Sequence, residues 1–270
     1  MALCCLFVET KVDRSHFPVL HQIYVCCYVF LRSCKAWLTG IFYLYLNMKS
    51  GNYRFFIFMI SVGLLSSCHN LIVGRGNIIQ NTSNLASDPF TQVELNADFM
   101  VYLTEDTFYQ VKVQGYENLV PYVDIKKGGG RITLGVAQDY VFDEDNIVVY
   151  VTAPSYTAIQ LNSNGSIIAN DSITSTTLEV TNNGSGAISL FGSAQLVTAY
   201  SAGSGITRLC ALQADTVSAF MLGSGILSTK PINKLNAQIS GSGQIQYIGS
   251  PAMSFSNTGT GGLLQTLGCY

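Results

Sequence analysis

The stretch that decides the fold runs from residue 197 to residue 226 and reads VTAYSAGSGITRLCALQADTVSAFMLGSGI. It contains Gly-Ser-Gly twice, at 203–205 and at 223–225, and alternating apolar residues precede each copy. Alternation of this kind predicts a β-strand with one face turned inward. The glycines predict a turn in which positive φ costs little. Two copies of one pattern so close together indicate an internal repeat.

The repeat extends through the second half of the chain, with lead glycines 18–20 residues apart. We interpret Gly165-Ser166-Ile167 as a decayed first copy and Gly259-Thr260-Gly261 as the last. The glycines assigned to structural turns are Gly165, Gly184, Gly186, Gly203, Gly205, Gly223, Gly225, Gly241, Gly243, Gly259 and Gly261.

Apolar residues keep a fixed place relative to each lead glycine. Six positions before it stand Ile159, Leu178, Val197, Val217, Leu235 and Met253. Four positions before it stand Leu161, Val180, Ala199, Ala219, Ala237 and Phe255. Shortly after it come Ile168, Ile188, Ile206, Ile226, Ile245 and Leu263. A repeat this short excludes helical hairpins, so we predict an all-β, parallel β-helix-like solenoid with coils about 4.8 Å apart.

Residues 88–160 lack the glycine repeat but alternate in the same way, as at Val93 and Leu95. We predict that they form the opening coils and the cap of one domain spanning 88–270. Residues 68–87 are rich in Asn, Ser and Gly, a composition typical of a spacer.

Residues 48–67 have the features of an export signal. Lys49 and Arg54 precede an apolar run, Phe55 to Leu65, which is too short to span a membrane but fits a signal peptide. The sequence Leu65-Ser66-Ser67-Cys68 resembles the lipobox of bacterial lipoproteins, which implies cleavage before Cys68 and its lipidation. His69 rather than Asp follows, which favours the outer membrane and leaves its periplasmic or surface face open. Residues 1–47 are interpreted as a misassigned N-terminal extension, with a second apolar segment as the alternative.

The folded part resembles the "putative auto-transporter adhesin, head GIN domain" family, found mostly in lipoproteins of the Bacteroidota. The matching pieces are Gly74-Arg75-Gly76-Asn77, Phe90-x-x-Val93-x-Leu95, Val111-x-Val113-x-Gly115-x-x-Asn118-Leu119, Val149-x-Val151-Thr152-x-Pro154 and the serial Gly-Ser-Gly units. The resemblance implies a right-handed β-helix-like fold and carries no site residues over.

Catalytic chemistry finds little support in the predicted domain. Residues 88–270 contain no His, which excludes Ser-His-Asp and Cys-His triads and imidazole metal sites. Among the repeats only Asp171, Glu179 and Asp215 are acidic, and a glycosidase needs two carboxyls at a set separation. We therefore predict a non-enzyme without cofactors, and keep a carbohydrate-active enzyme as the second alternative.

Three local features leave smaller questions. Asp143-Glu144-Asp145 could hold Ca²⁺, although a solvated loop between two strands is the favoured interpretation. Cys210 and Cys269 are predicted not to bond to each other, because they lie about three coils apart. Asp171-Ser172-Ile173 and Asp215-Thr216-Val217 resemble an O-glycosylation signal of the Bacteroidota, which implies Ser172 and Thr216 as acceptors.

Charge and surface chemistry complete the expectation. After Cys68 fourteen acids outnumber eight bases, so nucleic acid is not expected as a partner. Polar and aromatic positions such as Asn162, Asn182, Tyr200 and Gln238 suit a glycan or a protein edge. We expect a lipid-anchored cell-envelope protein with an adhesin-like surface, able to form a homo-oligomer through an exposed coil end. A periplasmic structural or assembly protein is the first alternative.

Overall fold

The computed structural model describes residues 70–84, 89–138, 140–143 and 146–268, all within a compact unit, Asn70–Tyr270. The predicted extension 1–47, the predicted signal peptide 48–67, Cys68 and the acidic side chains of 143–145 lie outside the described residues. In the described part, no helix has both the length and the apolar character needed to cross a bilayer.

The described residues form eighteen strands and one short 3-10 helix, Val120–Tyr122. The strands of the first part are β1 (Asn70–Val73), β2 (Ile78–Asn84), β3 (Gln92–Leu95), β4 (Met100–Glu105), β5 (Gln110–Tyr116), β6 (Val123–Gly128), β7 (Arg131–Val136), β8 (Tyr140–Asp143) and β9 (Val148–Ala153). Those of the repeat region are β10 (Ala158–Leu161), β11 (Ser166–Ala169), β12 (Ile173–Asn182), β13 (Ala187–Ser201), β14 (Ile206–Met221), β15 (Ile226–Ile239), β16 (Gln244–Tyr247), β17 (Ala252–Asn257) and β18 (Gly262–Gln265).

The repeats stack as a parallel β-solenoid, which confirms the predicted fold class. Val180, Ala199, Ala219 and Ala237 face one another in successive strands β12 to β15, and all four are buried. Each is the residue four positions before a lead glycine, so the alternating pattern identified the inward face correctly. Small Ala side chains at three adjacent levels fit the narrow interior beside the turn.

The first copy of the repeat starts two residues earlier than we predicted. Ile159 pairs with Val180, not with Leu178, and Leu161 pairs with Asn182. Gly165 therefore stacks under Gly186, the second glycine of its turn, and the first copy is Ser163-Asn164-Gly165. The spacing of the glycines could not predict this register. This coil is longer than the others, and only the pairing of the strands shows where its additional residues lie.

The aliphatic residues after the turns also belong to two faces. The inward column is Ile167, Ile188, Thr207, Leu227 and Ile245. Ile206 and Ile226 pair with each other one position before this column and face outward. Ile168 lies one position after the inward Ile167 and also faces outward. Successive side chains on a strand point to opposite faces, so an offset of one residue moves a side chain from core to surface.

The opening coils stack out of sequence order. Strands β7 and β9 form the lowest coil, β3 and β4 lie on it, and β10 and β11 lie on those. All these contacts are parallel, so the region expected to hold the opening coils extends the same core. The chain thus inserts its first coil between its second and its third.

Antiparallel strands close this end of the solenoid. Strand β5 runs antiparallel to β9, and β2 runs antiparallel to β5. Strand β6 is likewise antiparallel to β7. Residues 70–84, expected to be a spacer, instead supply β1, which pairs with β8, and the outermost cap strand β2. Composition suggested a spacer because β2 is rich in polar side chains, which an exposed outer strand tolerates.

Tyr156 lies between the lower coils and the repeats, and its hydroxyl forms hydrogen bonds to β4 and β9. Its fully buried hydroxyl donates to Val151 O at 2.8 Å and lies 3.0 Å from Thr104 O. Burial raises the pKa of Tyr156, so the phenol stays protonated and serves as the donor. The hydroxyl thereby satisfies carbonyls at the ends of β4 and β9.

Candidate binding surface

The glycine turns form two columns along one edge of the solenoid. A Cβ placed on Gly203 would lie 1.9 Å from Gly184 O, and one on Gly205 would lie 2.1 Å from Gly186 O. The same close approach recurs at Gly223, Gly241 and Gly259. Glycine is required because each turn rests directly on the backbone of the turn below. The serines and the threonine between the glycines consequently stand in a row at the coil spacing. The positive φ that we predicted for these turns is wrong, since none of the repeat glycines adopts it.

Asparagine side chains bond to the first complete Gly-Ser-Gly turn and to the last turn, a feature that we did not predict from the sequence. Asn182 accepts from Gly184 N at 3.2 Å and donates to Gly186 O at 3.2 Å. Asn257 makes the same two bonds to Gly259 N and Gly261 O, both at 3.0 Å. The signal was available as Asn two residues before the lead glycine, a common local turn bond.

One outward row, which we call face A, runs across the coils beside these turns. Its members are Glu94, Gln160, Thr181, Tyr200, Phe220, Gln238 and Ser256. Tyr200 and Phe220 stack with ring centroids 4.8 Å apart and planes 12° apart. The two rings therefore brace each other, and amides and hydroxyls continue the row on both sides.

The structure separates the four polar positions that sequence reasoning grouped together. Tyr200 and Gln238 lie on face A, with Phe220 between them in the register. Asn162 is exposed at the adjoining corner. Asn182 was assigned to the surface wrongly: it is fully buried and bonds to Thr207 Oγ1 at 3.3 Å. Its place in the alternation is an inward one, two residues after Val180.

An amide network continues face A around the corner. Asn162 Nδ2 donates to Asn96 Oδ1 at 2.7 Å and to Glu94 Oε1 at 3.0 Å. Its own Oδ1 accepts from Asn183 Nδ2 at 2.9 Å. Arg131 holds the other oxygen of Glu94 at 3.1 Å. These bonds fix the side chains before any ligand arrives.

A second aromatic group lies on the outward side of β4 and β9, a surface that we call face B. Tyr102 and Tyr150 stack at 5.5 Å, and Lys112 Nζ lies 4.8 Å from the centre of the Tyr150 ring. Their neighbours in the outward rows include Ile168 and Met100. Face B is thus more apolar than face A and carries a cation over its outer ring.

A shallow groove of about 410 Å³ lies between the corners of the repeat coils. Its exposed lining includes Thr174, Ser193, Gln195, Gln213, Asp215 and Ile232. Hydroxyl and amide groups dominate, with one carboxylate. This chemistry suits hydrogen-bonded contact with a polar ligand and offers no enclosed cavity for a small apolar one.

The repeat-region acids do not form the pair that was considered for catalysis. Asp171 lies in the turn before β12, whereas Glu179 lies on the outward face of that strand beside Ala158 and Thr198. Asp171 instead neighbours Glu105, whose carboxylate accepts from Thr174 N at 3.0 Å. Burial raises the pKa of Glu105, the hydrogen bond from Thr174 opposes the rise, and the charge of Asp171 adds to it.

Metal ligands do not gather within 70–84, 89–138, 140–143 or 146–268: no three His, Cys, Asp or Glu side chains there could hold an ion. Ser172 is exposed in a turn, and Thr216 is half-buried within β14 between Leu196 and Lys234. Cys210 is buried and disulfide-bonded. The prediction about Cys210 and Cys269 concerns a residue outside the described part of the chain.

The fold and these faces define a β-solenoid protein with polar, aromatic outer rows. The chain belongs to the family described as "putative auto-transporter adhesin, head GIN domain", which matches residues 89–251. A search among curated proteins found no match.

Among solved structures, the chain is similar to a "putative adhesin" from Bacteroides fragilis, with 20% identity and a TM-score of 0.61 over 72% of this chain and all of the other. It also resembles a "putative adhesin" from Parabacteroides merdae, with 19% identity and a TM-score of 0.45 over 73% of this chain and 99% of the other. The first likeness supports the fold; both identities are too low to transfer a ligand.

Proposed function

We propose that this chain is a lipid-anchored cell-envelope protein that uses face A to bind a glycan or a protein edge. The observation that carries the proposal is the row from Gln160 through Tyr200 and Phe220 to Gln238. Amide, hydroxyl and aromatic groups succeed one another there at the coil spacing of about 4.8 Å. A ligand that repeats along its own length, such as a polysaccharide or an extended strand, can meet several of these groups at once.

The rigidity of face A favours binding. Tyr200 and Phe220 are stacked, and Asn162 is held by Asn96 and Glu94, so little side-chain freedom remains to be lost. Because the rings of Tyr200 and Phe220 stack on each other, a bound sugar would contact the ring edges and the Tyr200 hydroxyl. We therefore expect hydrogen bonding, more than ring stacking, to give most of the affinity.

The lipid anchor is proposed from the signal peptide and Cys68. Residues 70–84 are tied into β1 and β2 at the capped end of the solenoid. The lipidated cysteine would then sit one residue before His69 and close to the folded unit, with little free chain between. Such an anchor holds the protein at the outer membrane on either face.

Protease shaving of intact cells tests the location. We expect an antibody to residues 88–270 to lose its signal when intact cells are treated, with the Cys68→Ala variant released from the membrane fraction. Protection until the outer membrane is opened would contradict an adhesin and leave the periplasmic structural or assembly role.

A glycan array and a panel of matrix proteins test face A. The paired variants are Tyr200→Ala with Gln238→Ala on face A, and Tyr150→Ala on face B as the matched aromatic control. We expect the face A double variant to lose binding by about tenfold or more, since two contacts of about 1 kcal/mol each are removed. Equal loss in the control would place the binding elsewhere, and release of cleaved sugar would favour the carbohydrate-active enzyme.

A further inference from the structure

The solenoid ends in an open coil at its C-terminal side. Among the strands described, β17 pairs only with β15 and β18 pairs only with β16, so each keeps one free edge. The peptide N–H of Thr258 points back to Ile239 O at 2.8 Å. Because bonding alternates along a strand, the N–H groups of Phe255 and Met253 point to the free edge.

The apolar interior is exposed at this same end. Met253 and Phe255 continue the columns of Leu235 and Ala237, which are 0% and 1% exposed. Met253 and Phe255 themselves are 45% and 46% exposed. They have the inward orientation of core residues but lack a coil above them. A free strand edge beside exposed core residues is a template for further strand pairing.

The two ends of the molecule differ in how their edges are protected. At the other end the edge strand β6 carries Asp124, Lys126 and Lys127, and charges on an edge strand discourage pairing, whereas the second edge strand there, β2, is polar but uncharged. Residues 248–268, by contrast, contain no charged residue. Like faces of this coil can therefore meet without repulsion between like charges.

We propose that a second copy of this chain covers the open coil, with β17 of each copy pairing antiparallel to the other about a two-fold axis. A head-to-tail stack is blocked, because antiparallel β2, β5 and β6 occupy the opposite end. The glycine columns also stop there, where Gly165 rests on the turn of Ala97 and Phe99. The self-complementary arrangement closes at two copies. The terminal coil offers about 20 residues a side, the number typical of a stable interface.

Sedimentation equilibrium of the compact unit 70–270, from micromolar to hundreds of micromolar concentration, tests the proposal. We expect a dimer and a loss of affinity of at least about 30-fold on Phe255→Lys, which places two charges at the centre of the pairing. Met253→Lys is the second variant. Phe108→Lys is the matched control, because Phe108 is 45% exposed and lies in the turn between β4 and β5, outside the terminal coil. We expect this variant to leave the dimer intact. Circular dichroism checks that each variant folds.

Two results would overturn the proposal. One is a monomer throughout the concentration range. The other is hydrogen exchange in which the Met253 and Phe255 amides, which point to the free edge, are protected equally at low and high concentration, which would show that the chain covers its own edge. These outcomes are independent of face A, since ligand binding by a monomer would leave the proposed function standing.

Discussion

The side-chain amide of Asn182 lies inside the solenoid, 3.3 Å from Thr207 Oγ1, whereas the hydroxyl of Ser201 on the next coil has no hydrogen-bond partner among the described residues. The two residues face each other in the register of β12 and β13, and both are fully buried. One polar side chain is thus well satisfied and its neighbour is not. Their contributions to stability should have opposite signs.

We expect Asn182→Ala to lower the free energy of unfolding by about 2 kcal/mol, because the buried amide of Gly184 loses its acceptor and the carbonyl of Gly186 keeps only its bond from Ile206 N. Ser201→Ala should leave it unchanged or raise it by about 1 kcal/mol, since an unsatisfied hydroxyl is removed. Urea unfolding of both variants provides the measurement. A marked loss on Ser201→Ala would mean that a bound water satisfies the hydroxyl.

The glycine column gives a second prediction. Gly203→Ala would place a Cβ 1.9 Å from the carbonyl oxygen of Gly184, and backbone on both sides leaves no room to yield. We expect a loss of about 3 kcal/mol or more in the free energy of unfolding. Gly135→Ala is the control, because a Cβ there meets nothing within 4 Å in the part of the chain that the structure describes. Thermal unfolding should show a large drop in midpoint for the first variant only.

Glu105 predicts a specific pH dependence. Its pKa is raised in the folded state, so folding favours the protonated form and the contribution of Glu105 to stability falls as pH rises above the ordinary value of 4.5. The difference in unfolding free energy, wild type minus Glu105→Gln, should therefore decrease from acidic to neutral pH. Denaturant titrations across that range measure it. A difference that increases with pH would show that the bond from Thr174 outweighs burial.

The two proposed glycosylation sites differ in accessibility. Ser172 is exposed in a turn, whereas Thr216 lies in a strand that is paired on both sides. If modification follows folding, we expect a glycan at Ser172 and little at Thr216. Intact-mass measurement of protein from its native host, compared with Ser172→Ala, tests this. An unchanged mass in the variant would reject Ser172 as the acceptor.

Sequence reasoning predicted the solenoid and failed on parts of its register, for a physical reason. Alternation reports which residues face inward wherever a strand keeps its phase, as at Val180 and Ala199. Where one coil is longer than the others, a fixed distance from the lead glycine no longer identifies equivalent positions. Ile159 was therefore aligned with Leu178, although it pairs with Val180. The proximity of Glu105 to Asp171 could not be predicted either. The coil of β3 and β4 stacks out of sequence order, and this brings segments that are distant in the chain close together.

By itself, the sequence determined the class of fold, since period-two alternation and stacked glycine turns are local requirements that each coil must meet. It also carries the motifs of the family, and it predicts an export signal. Only the tertiary structure decided that residues 70–84 cap the solenoid, that Asn182 turns inward while Tyr200 and Phe220 form an outward pair, and that one end stays open. Those features depend on which strands become neighbours, and hydrogen bonds between segments far apart in the chain decide that.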